Sequence, residues 1–360
     1  MARRLLRAGL ACYCMLSASV ATAEPAPFMM RATVKGRTIE GQPLMWNANE
    51  MLLLGRDGAL QEFAPDDAKN AKKFGSGFVG YTSEELKAKL RDEFDRSFDI
   101  STTPHFVVVH PHGEWREWAE RLESLYRSFT HYMNVRGLPT ANPQTPLTAI
   151  VFRTQEDYYR HAAAGGTPLQ PGTMGHYDPT NNRVYLFDAA EKNGDASWAT
   201  NAETIIHEAT HQTAYNVGVH RRFAEQPRWL VEGLAMMFEA RGVWDNASLR
   251  QQADRINAER LANFRESASK RPADWLVQLV ASDQPFQRTP LSAYAAAWTL
   301  TFYLCETRPQ EYSRYLAIVA ARPAFSEYPP QARLADFTSA FGNDLPMLAV
   351  QLQRYVDVLP

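Results

Sequence analysis

Two short segments constrain this chain more than any other feature: H-E-A-T-H at residues 207–211 and W-L-V-E-G-L-A at residues 229–235. Histidines four residues apart lie on the same face of a helix, so the imidazoles of His207 and His211 can reach one cation. A Zn²⁺ ion held by such a pair needs one more protein ligand and an open position for water. Glu232, on a second helix, is well placed to supply that ligand. The two segments therefore predict a two-His, one-Glu zinc site.

Glu208 directly follows the first histidine, where its carboxylate can take a proton from water at the metal. The alternative is a buried helix whose two histidines bind no metal. The sequence context favours the metal site. Thr200 and Glu203 form a capping box that predicts a helix beginning there, and Pro227 suits the first turn of the second helix.

The first 23 residues have the three parts of a secretory signal peptide. Arg3, Arg4 and Arg7 form a basic segment, residues 8–20 form a short apolar core, and Ala21-Thr22-Ala23 forms a cleavage site. The apolar core is too short to span a membrane. We therefore expect an exported chain, periplasmic or extracellular, that has no transmembrane span after cleavage.

Composition and charge narrow the classes of partner. Hydrophobic residues make up 45% of the 360 residues and charged residues 22%, as in ordinary globular proteins with a sizeable core. The formal net charge is only −2 and no long basic run occurs, which argues against nucleic acid as a partner. Cys305 is the one cysteine outside the leader, so no internal disulfide is expected.

The chain after the leader divides into a small β unit with a linker, at residues 24–80, and a larger unit at residues 81–360. Lys35-Gly36 and Arg56-Asp57-Gly58 are hairpin signals in the small unit, whereas residues 64–80 indicate a loop. No chemistry is indicated there, and the expected role is packing or docking.

The larger unit changes character near its middle. Strands alternate with helices over residues 81–216, which predicts a sheet backed by helices, with a hairpin just before the helix of the H-E-A-T-H segment. Residues 217–360 are nearly all helical. The predicted fold class is α+β: a mixed sheet with the active-site helix, followed by a mostly helical subdomain and preceded by the small β unit.

Both metal-binding segments resemble those of gluzincin metallopeptidases, the class in which thermolysin-like enzymes bind zinc through H-E-x-x-H and a downstream Glu. Further stretches resemble a narrower family of secreted bacterial gluzincin-like proteins, known mainly as a domain of unknown function. These stretches are L-R-D-E-F at 90–94, T-P-H-F at 103–106, L-Y-R-S-F at 125–129, G-H-Y at 175–177 and A-F-G-N-D-L at 340–345. The resemblance covers residues 81–358 and leaves residues 24–80 outside it.

The resemblance implies a gluzincin-like core, zinc at His207, His211 and Glu232, and Glu208 as the general base. One position departs from the pattern. Thermolysin-like chains carry an Asp four residues after the Glu ligand, where this chain has Met236. Because a partner normally orients a metal-bound histidine, we expect another residue in that role, and Glu239 lies on the same helical face as Glu232.

A donor for the developing oxyanion is expected from a tyrosine, whose hydroxyl donates while staying neutral near pH 7. The candidate is Tyr294, because gluzincin-like chains often place a Tyr in a comparable Y-x-x-x-W-like helix. The alternative is that Tyr294 is a core residue. Tyr177, Tyr185 and His220 are the rival donors.

The resemblance also predicts that residues 183–187 form the edge strand facing the cleft, where an extended peptide adds a strand. The alternative is an internal strand.

The sequence leaves two candidate functions. The first is an exported zinc peptidase that hydrolyses peptides or proteins with a zinc-activated water. The second is a non-catalytic gluzincin-fold module with a structural or partner-binding role. The intact Glu208 favours catalysis, because a binding module has no need of a base beside the metal.

Overall fold

The structure, a computed structural model, describes residues 25–113, 117–166, 169–188, 196–244 and 251–360. The described residues form two five-stranded sheets and many helices, a mixed α/β architecture. The expected signal peptide at residues 1–23 lies outside them. Within these ranges, no helix is both long and apolar enough to cross a membrane.

The small N-terminal unit is an antiparallel sheet in the order β4-β3-β2-β1-β5. Its strands are β1 (Met29–Val34), β2 (Arg37–Trp46), β3 (Met51–Gly55), β4 (Leu60–Phe63) and β5 (Ala68–Phe74). Lys35 and Gly36 both have positive φ, as a two-residue hairpin turn between β1 and β2 requires. A small core of Met30, Ala32, Leu53 and Phe63 covers one face.

The prediction of a loop over residues 64–80 is wrong for β5, which pairs antiparallel with β1. Six of its seven residues are exposed, three of them lysines. Because β5 is an edge strand without a buried face, it lacks the apolar alternation by which strands are recognised in a sequence. Lysines on an edge strand also discourage pairing with another chain.

The second sheet has the order β6-β7-β8-β10-β9. Its strands are β6 (Phe98–Thr102), β7 (Phe106–Pro111), β8 (Leu147–Phe152), β9 (Gly175–Asp178) and β10 (Arg183–Phe187). Strands β7, β8 and β10 run parallel, and β6 and β9 pair antiparallel at the two edges. The prediction that Arg183–Phe187 is the edge strand is therefore wrong, because β9 covers it and is itself the edge.

Helices pack on both faces of this sheet and then form the C-terminal half. They are α1 (Ser83–Glu93), α2 (Glu117–Asn134), α3 (Gln155–Ala164), α4 (Ala196–Asn216), α5 (Arg228–Glu239), α6 (Arg241–Trp244), α7 (Ala258–Glu266), α8 (Trp275–Ala281), α9 (Gln284–Arg288), α10 (Pro290–Thr307), α11 (Pro309–Ala320), α12 (Pro330–Phe341) and α13 (Leu345–Asp357). Helices α1 and α3 contact one face of the sheet, and α2 and α4 contact the other.

Helix α4, which carries the H-E-A-T-H segment, begins at Ala196 rather than at Thr200. The capping-box pattern at Thr200 therefore lies one turn inside the helix. The buried amide of Gln212 anchors α4 to the sheet, since its Nε2 donates to the carbonyl oxygens of Thr148 (2.9 Å) and Asn182 (2.8 Å). These bonds fix the rotation of α4, and with it the direction of the metal-site side chains.

The N-terminal unit packs against the turn that joins β9 to β10. The amide of Leu60 donates to the carbonyl oxygen of Thr180 at 2.7 Å, and Arg222 donates to the carbonyl oxygens of Gly58 and Pro179, each at 2.5 Å. Some of these hydrogen bonds join the N-terminal unit to the hairpin beside α4.

Helices α5 and α10 approach each other closely at Gly233, next to Glu232. A Cβ at Gly233 would lie 2.2 Å from Oγ1 of Thr301 and 2.7 Å from the carbonyl oxygen of Ala297. The helices would have to separate to accept it. Glycine is therefore required by packing at this position, although it lowers helix propensity.

We expect Gly233→Ala to lower the free energy of unfolding by about 2 kcal/mol, because overpacking outweighs the gain in helix propensity. The matched control is Gly165→Ala at the end of α3, where the nearest atoms lie 3.4 Å and 3.5 Å from the added Cβ. Thermal unfolding of both variants tests this, and equal melting temperatures for them would show that the α5–α10 contact does not require glycine.

Candidate metal centre

Helices α4 and α5 bring His207, His211 and Glu232 together. Nε2 of His207 lies 3.0 Å from Nε2 of His211, and Oε2 of Glu232 lies 3.3 Å and 3.7 Å from these two nitrogens. The side chains are 16%, 12% and 17% exposed, so they are shielded yet reachable from the solvent. The ligand atoms predicted from helical spacing thus converge on one point.

The spacing of these atoms fits a tetrahedral ion. Ligands about 2.1 Å from a tetrahedral metal lie about 3.4 Å from one another, in the middle of the observed range. Two imidazole nitrogens and a carboxylate oxygen are also ligand types that zinc accepts. The ligand atoms of these three residues all lie within 4.8 Å of one another, and no other group of three His, Cys, Asp or Glu side chains among the described residues is arranged in this way. The cluster can therefore hold a metal ion.

Carboxylate groups dominate the electrostatics of the cluster. Burial lowers the pKa of His207, but hydrogen bonds to Glu232 and Glu239 and the charge of Glu208 outweigh it and hold that pKa well above its ordinary value. Burial raises the pKa of Glu232, but both histidines hold it well below its ordinary value. Carboxylates thus surround the histidines and stabilise positive charge at the point where the ligands meet.

Glu239 has the contact expected of a partner for a metal-bound histidine. Its Oε1 lies 2.8 Å from Nδ1 of His207, the nitrogen that points away from the ligand cluster. Its Oε2 accepts a hydrogen bond of 2.6 Å from Nδ2 of Asn257. Asn257 also caps α7, since its Oδ1 accepts from the amide of Arg260 at 3.2 Å. The start of α7 therefore holds Glu239 against His207, and Met236 is buried elsewhere in the core.

We expect Glu239→Ala to weaken metal binding by about 10- to 100-fold, because His207 loses the group that fixes its ring and tautomer. Glu239→Gln keeps a hydrogen-bond acceptor for Nδ1–H and should lose less. The measurement is competition with a chelator of known affinity. Equal affinity in the wild type and both variants would remove Glu239 from this role.

Glu208 points from α4 toward the edge of the sheet. Its Oε2 accepts a hydrogen bond of 2.7 Å from the backbone amide of Tyr177 in β9. That amide lies on the outer edge of β9, because it is not directed at β10. One carboxylate oxygen is therefore held by the edge strand, and Oε1 has no hydrogen-bond partner within the described residues.

A cleft of about 610 Å³ opens beside His207 and Glu208. Residues 172–175, which end at the first residue of β9, line it together with α4 and the start of α7. Its lining residues are Gly172, Thr173, Met174, Gly175, Glu203, Thr204, His207, Glu208, Glu239, Ala240, Arg241, Ile256, Asn257, Ala258, Glu259 and Arg260. The cleft is large enough for a segment of extended peptide.

Tyr294, in α10, lies near Glu232 and is partly buried. Its hydroxyl oxygen accepts a hydrogen bond of 2.7 Å from Nη2 of Arg228, whose Nε is 3.6 Å from Oε1 of Glu232. Burial, together with the charge of Glu232, raises the pKa of Tyr294 above its ordinary value. The hydroxyl therefore keeps its proton, and that proton remains available to a further acceptor.

The three alternative candidates for the oxyanion donor lie in surroundings that differ from those of Tyr294. The hydroxyl of Tyr177 donates to Oδ1 of Asn182 at 2.8 Å. Tyr185 packs in the core on the α1 and α3 side of the sheet, away from α4. Burial and the charge of nearby His211 lower the pKa of His220 to about 3, so its imidazole is neutral.

Two residues near the ligands were not singled out from the sequence. Tyr215 is four residues after His211 on the same face of α4, and burial and the charges of Tyr177 and Glu232 raise its pKa. Arg228 is four residues before Glu232. Their position one helical turn from a metal ligand is the sequence feature that could have indicated both Tyr215 and Arg228.

A family model described as a protein of unknown function, DUF1570, matches residues 201–326, from the ligand helix through most of the helical half. No curated protein matches the sequence. Among solved structures, an M1 zinc metallopeptidase mutant from Deinococcus radiodurans, bound to a Tyr-Ser-Ala substrate, is 15% identical with a TM-score of 0.37. The match covers 73% of this chain and 52% of that one, so the chain spans about half the length of that protein.

The catalytic module of the metalloprotease ZmpA from Clostridium perfringens is 12% identical with a TM-score of 0.38, over 94% of this chain and 69% of that module. At these TM-scores the two structures are distant likenesses, and the function proposed below rests on the site's own geometry.

Proposed function

We propose that the protein is a zinc-dependent peptidase that acts outside the cytoplasm. One observation carries this proposal: three ligand atoms within 4.8 Å of one another stand at the side of a cleft that also contains Glu208. The carboxylate in the cleft adds a proton acceptor to the metal site, which is the pair of groups that metal-assisted hydrolysis requires. His207, His211 and Glu232 would hold the ion.

When bound, zinc supplies a Lewis acid that acidifies water and polarises a carbonyl group. Glu208 accepts the proton of the attacking water, and its Oε1 is the oxygen available for it. Because the amide of Tyr177 holds Oε2, the carboxylate stays oriented through the transfer. Glu208 then delivers the proton to the leaving nitrogen, and the C–N bond breaks.

The edge strand β9 would bind the substrate. Its outer edge pairs with no other strand within the described residues, although Glu208 accepts from the Tyr177 amide there, and an extended peptide can add at this edge as a further strand. Gly175 allows β9 to pack closely against β10, since a Cβ on it would lie 2.6 Å from Cδ2 of Leu186. The peptide backbone would then lie along the cleft next to the metal ligands.

The alternative is a non-catalytic module that binds a partner through the same cleft. A cleavage assay distinguishes these two functions, because a peptidase cuts its ligand whereas a binding module leaves it intact. We expect the zinc-loaded protein to cut members of a mixed peptide library, read by mass spectrometry, and to cut none in excess chelator. Folded, zinc-loaded protein that leaves every peptide intact would favour the module.

Tyr294 is proposed as the donor to the oxyanion. Because Arg228 donates to its oxygen, the Tyr294 proton is free to stabilise the charge that builds on the carbonyl oxygen. We expect Tyr294→Phe to lower kcat by about 10- to 1,000-fold with little change in KM or zinc content.

The matched comparison is Tyr215→Phe, which removes one hydroxyl from the other tyrosine near Glu232. Steady-state kinetics of the two variants distinguishes the donors. A large fall in kcat for Tyr215→Phe and none for Tyr294→Phe would transfer the role to Tyr215.

A further inference from the structure

A second, smaller cavity lies on the other side of β9 from α4. It has a volume of about 70 Å³ and is formed between α3 and the β9–β10 hairpin. Four aromatic rings line it: Tyr158, His161, His176 and Tyr185. The ring of Tyr185 lies 5.0 Å from that of His176 and 5.5 Å from that of His161. Aromatic side chains therefore make up four of the eight residues that line the cavity.

The hydrogen bonds of these rings fix their positions. The Tyr158 hydroxyl lies 2.7 Å from Nδ1 of His176, and Nδ2 of Asn181 donates to the Tyr185 hydroxyl at 2.9 Å. Burial lowers the pKa of both His161 and His176, so the two imidazoles are neutral near pH 7. Neither ring adds a positive charge that would repel a cation.

Asp178 is the only charged residue in the lining. Its carboxylate accepts a hydrogen bond from the amide of Thr180 at 2.7 Å, and it forms no ion pair within the described residues. Of the two nearby arginines, Arg183 binds Glu93 through two bonds of 2.6 Å and 2.9 Å, whereas Arg222 binds backbone carbonyls and acts on Asp178 only through its charge. A cavity lined in part by aromatic rings, beside a carboxylate that forms no ion pair within the described residues, suits a compact organic cation.

The cavity borders β9, the strand that is proposed to bind the substrate. His176 faces it, whereas its neighbours in β9 face α4: Tyr177 stacks on Tyr215 with ring centroids 5.8 Å apart. Side chains of a peptide paired with β9 would alternate in the same way. Burial and the charge of nearby Glu208 raise the pKa of Tyr158, which lines this cavity.

We propose that this cavity is a subsite for a lysine side chain of the peptide substrate, close to the scissile bond. The proposal rests on the proposed function, since it assigns the specificity of that same cleft. Asp178 binds the ammonium group, and the rings of Tyr185, His161 and His176 surround it. The substrate class is thus a peptide with a lysine next to the bond that is cut.

A binding experiment tests the cavity without requiring catalysis. The probes are Nα-acetyl-lysine methylamide and its uncharged counterpart, Nα-acetyl-norleucine methylamide, added to the zinc-loaded protein with isotope-labelled histidines. We expect the lysine probe to shift the ring signals of His161 and His176 and to bind about tenfold more tightly than the norleucine probe.

Asp178→Asn keeps the acceptor for Thr180 and removes the charge, so it should abolish the preference for the lysine probe. Asp92→Asn, on the exposed side of α1, is the matched control and should retain it. In cleavage assays, paired lysine and norleucine peptides should show the same preference and the same loss.

The outcomes separate the two proposals. Cleavage of both peptides at equal rates, with His161 and His176 unmoved by the lysine probe, would overturn the subsite and leave the peptidase standing. Binding of the lysine probe that depends on Asp178, in a protein that cuts no peptide, would support the cavity as a cation site and overturn the peptidase.

Discussion

Replacing both His207 and His211 with alanine should reduce bound zinc from about one ion per chain to almost none, because Glu232 alone cannot hold the ion. The two nitrogens are 3.0 Å apart and each supplies one ligand atom. Metal analysis of the purified, dialysed protein measures the loss. His131→Ala, which removes an exposed histidine from α2, is the control and should leave the zinc content unchanged.

The zinc contents of these two variants distinguish zinc bound at this site from zinc bound loosely at the surface. Zinc retained at stoichiometric level by the double variant would place the ion elsewhere and contradict the assignment of all three ligands. Loss of zinc in the His131→Ala control as well would show that the assay reports loosely bound metal.

Replacing Glu208 with glutamine should lower kcat by about a thousandfold while zinc stays bound, because the proton acceptor is lost and the metal ligands are not. The glutamine carbonyl can still accept the hydrogen bond from the amide of Tyr177, so the local geometry is kept. Steady-state kinetics and metal analysis on the same sample give both quantities.

Glu203→Gln is the matched control, since Glu203 lines the same cleft from the same helix. It should change kcat far less than Glu208→Gln does. Equal losses in the two variants would mean that the charge of the cleft, rather than proton transfer by Glu208, limits the reaction.

The features of the centre that could be predicted are local in the sequence. Helical spacing alone places His207 beside His211 and Glu239 on the same face as Glu232, and the resemblance to gluzincins implied that the two segments meet at one metal. The helices of the C-terminal half could also be predicted, because their apolar residues recur at helical intervals and Pro and Gly mark the breaks between them.

The features that could not be predicted depend on contacts between distant segments. Strand order is one: pairing with both β8 and β9 makes Arg183–Phe187 internal and leaves Gly175–Asp178 at the edge. The exposed edge strand Ala68–Phe74 offers no alternation to detect. The support of Glu239 by Asn257 joins residues 18 positions apart, on separate elements, and leaves no periodic signal.

The most direct test of the account is a titration of metal-free protein with zinc while peptide hydrolysis is measured. Activity should rise linearly and stop rising at about one equivalent of zinc per chain. The same titration of Glu208→Gln should show zinc uptake to the same level without hydrolysis. Peptide hydrolysis by the metal-free protein, or none after one zinc has bound to the folded wild type, would contradict the account.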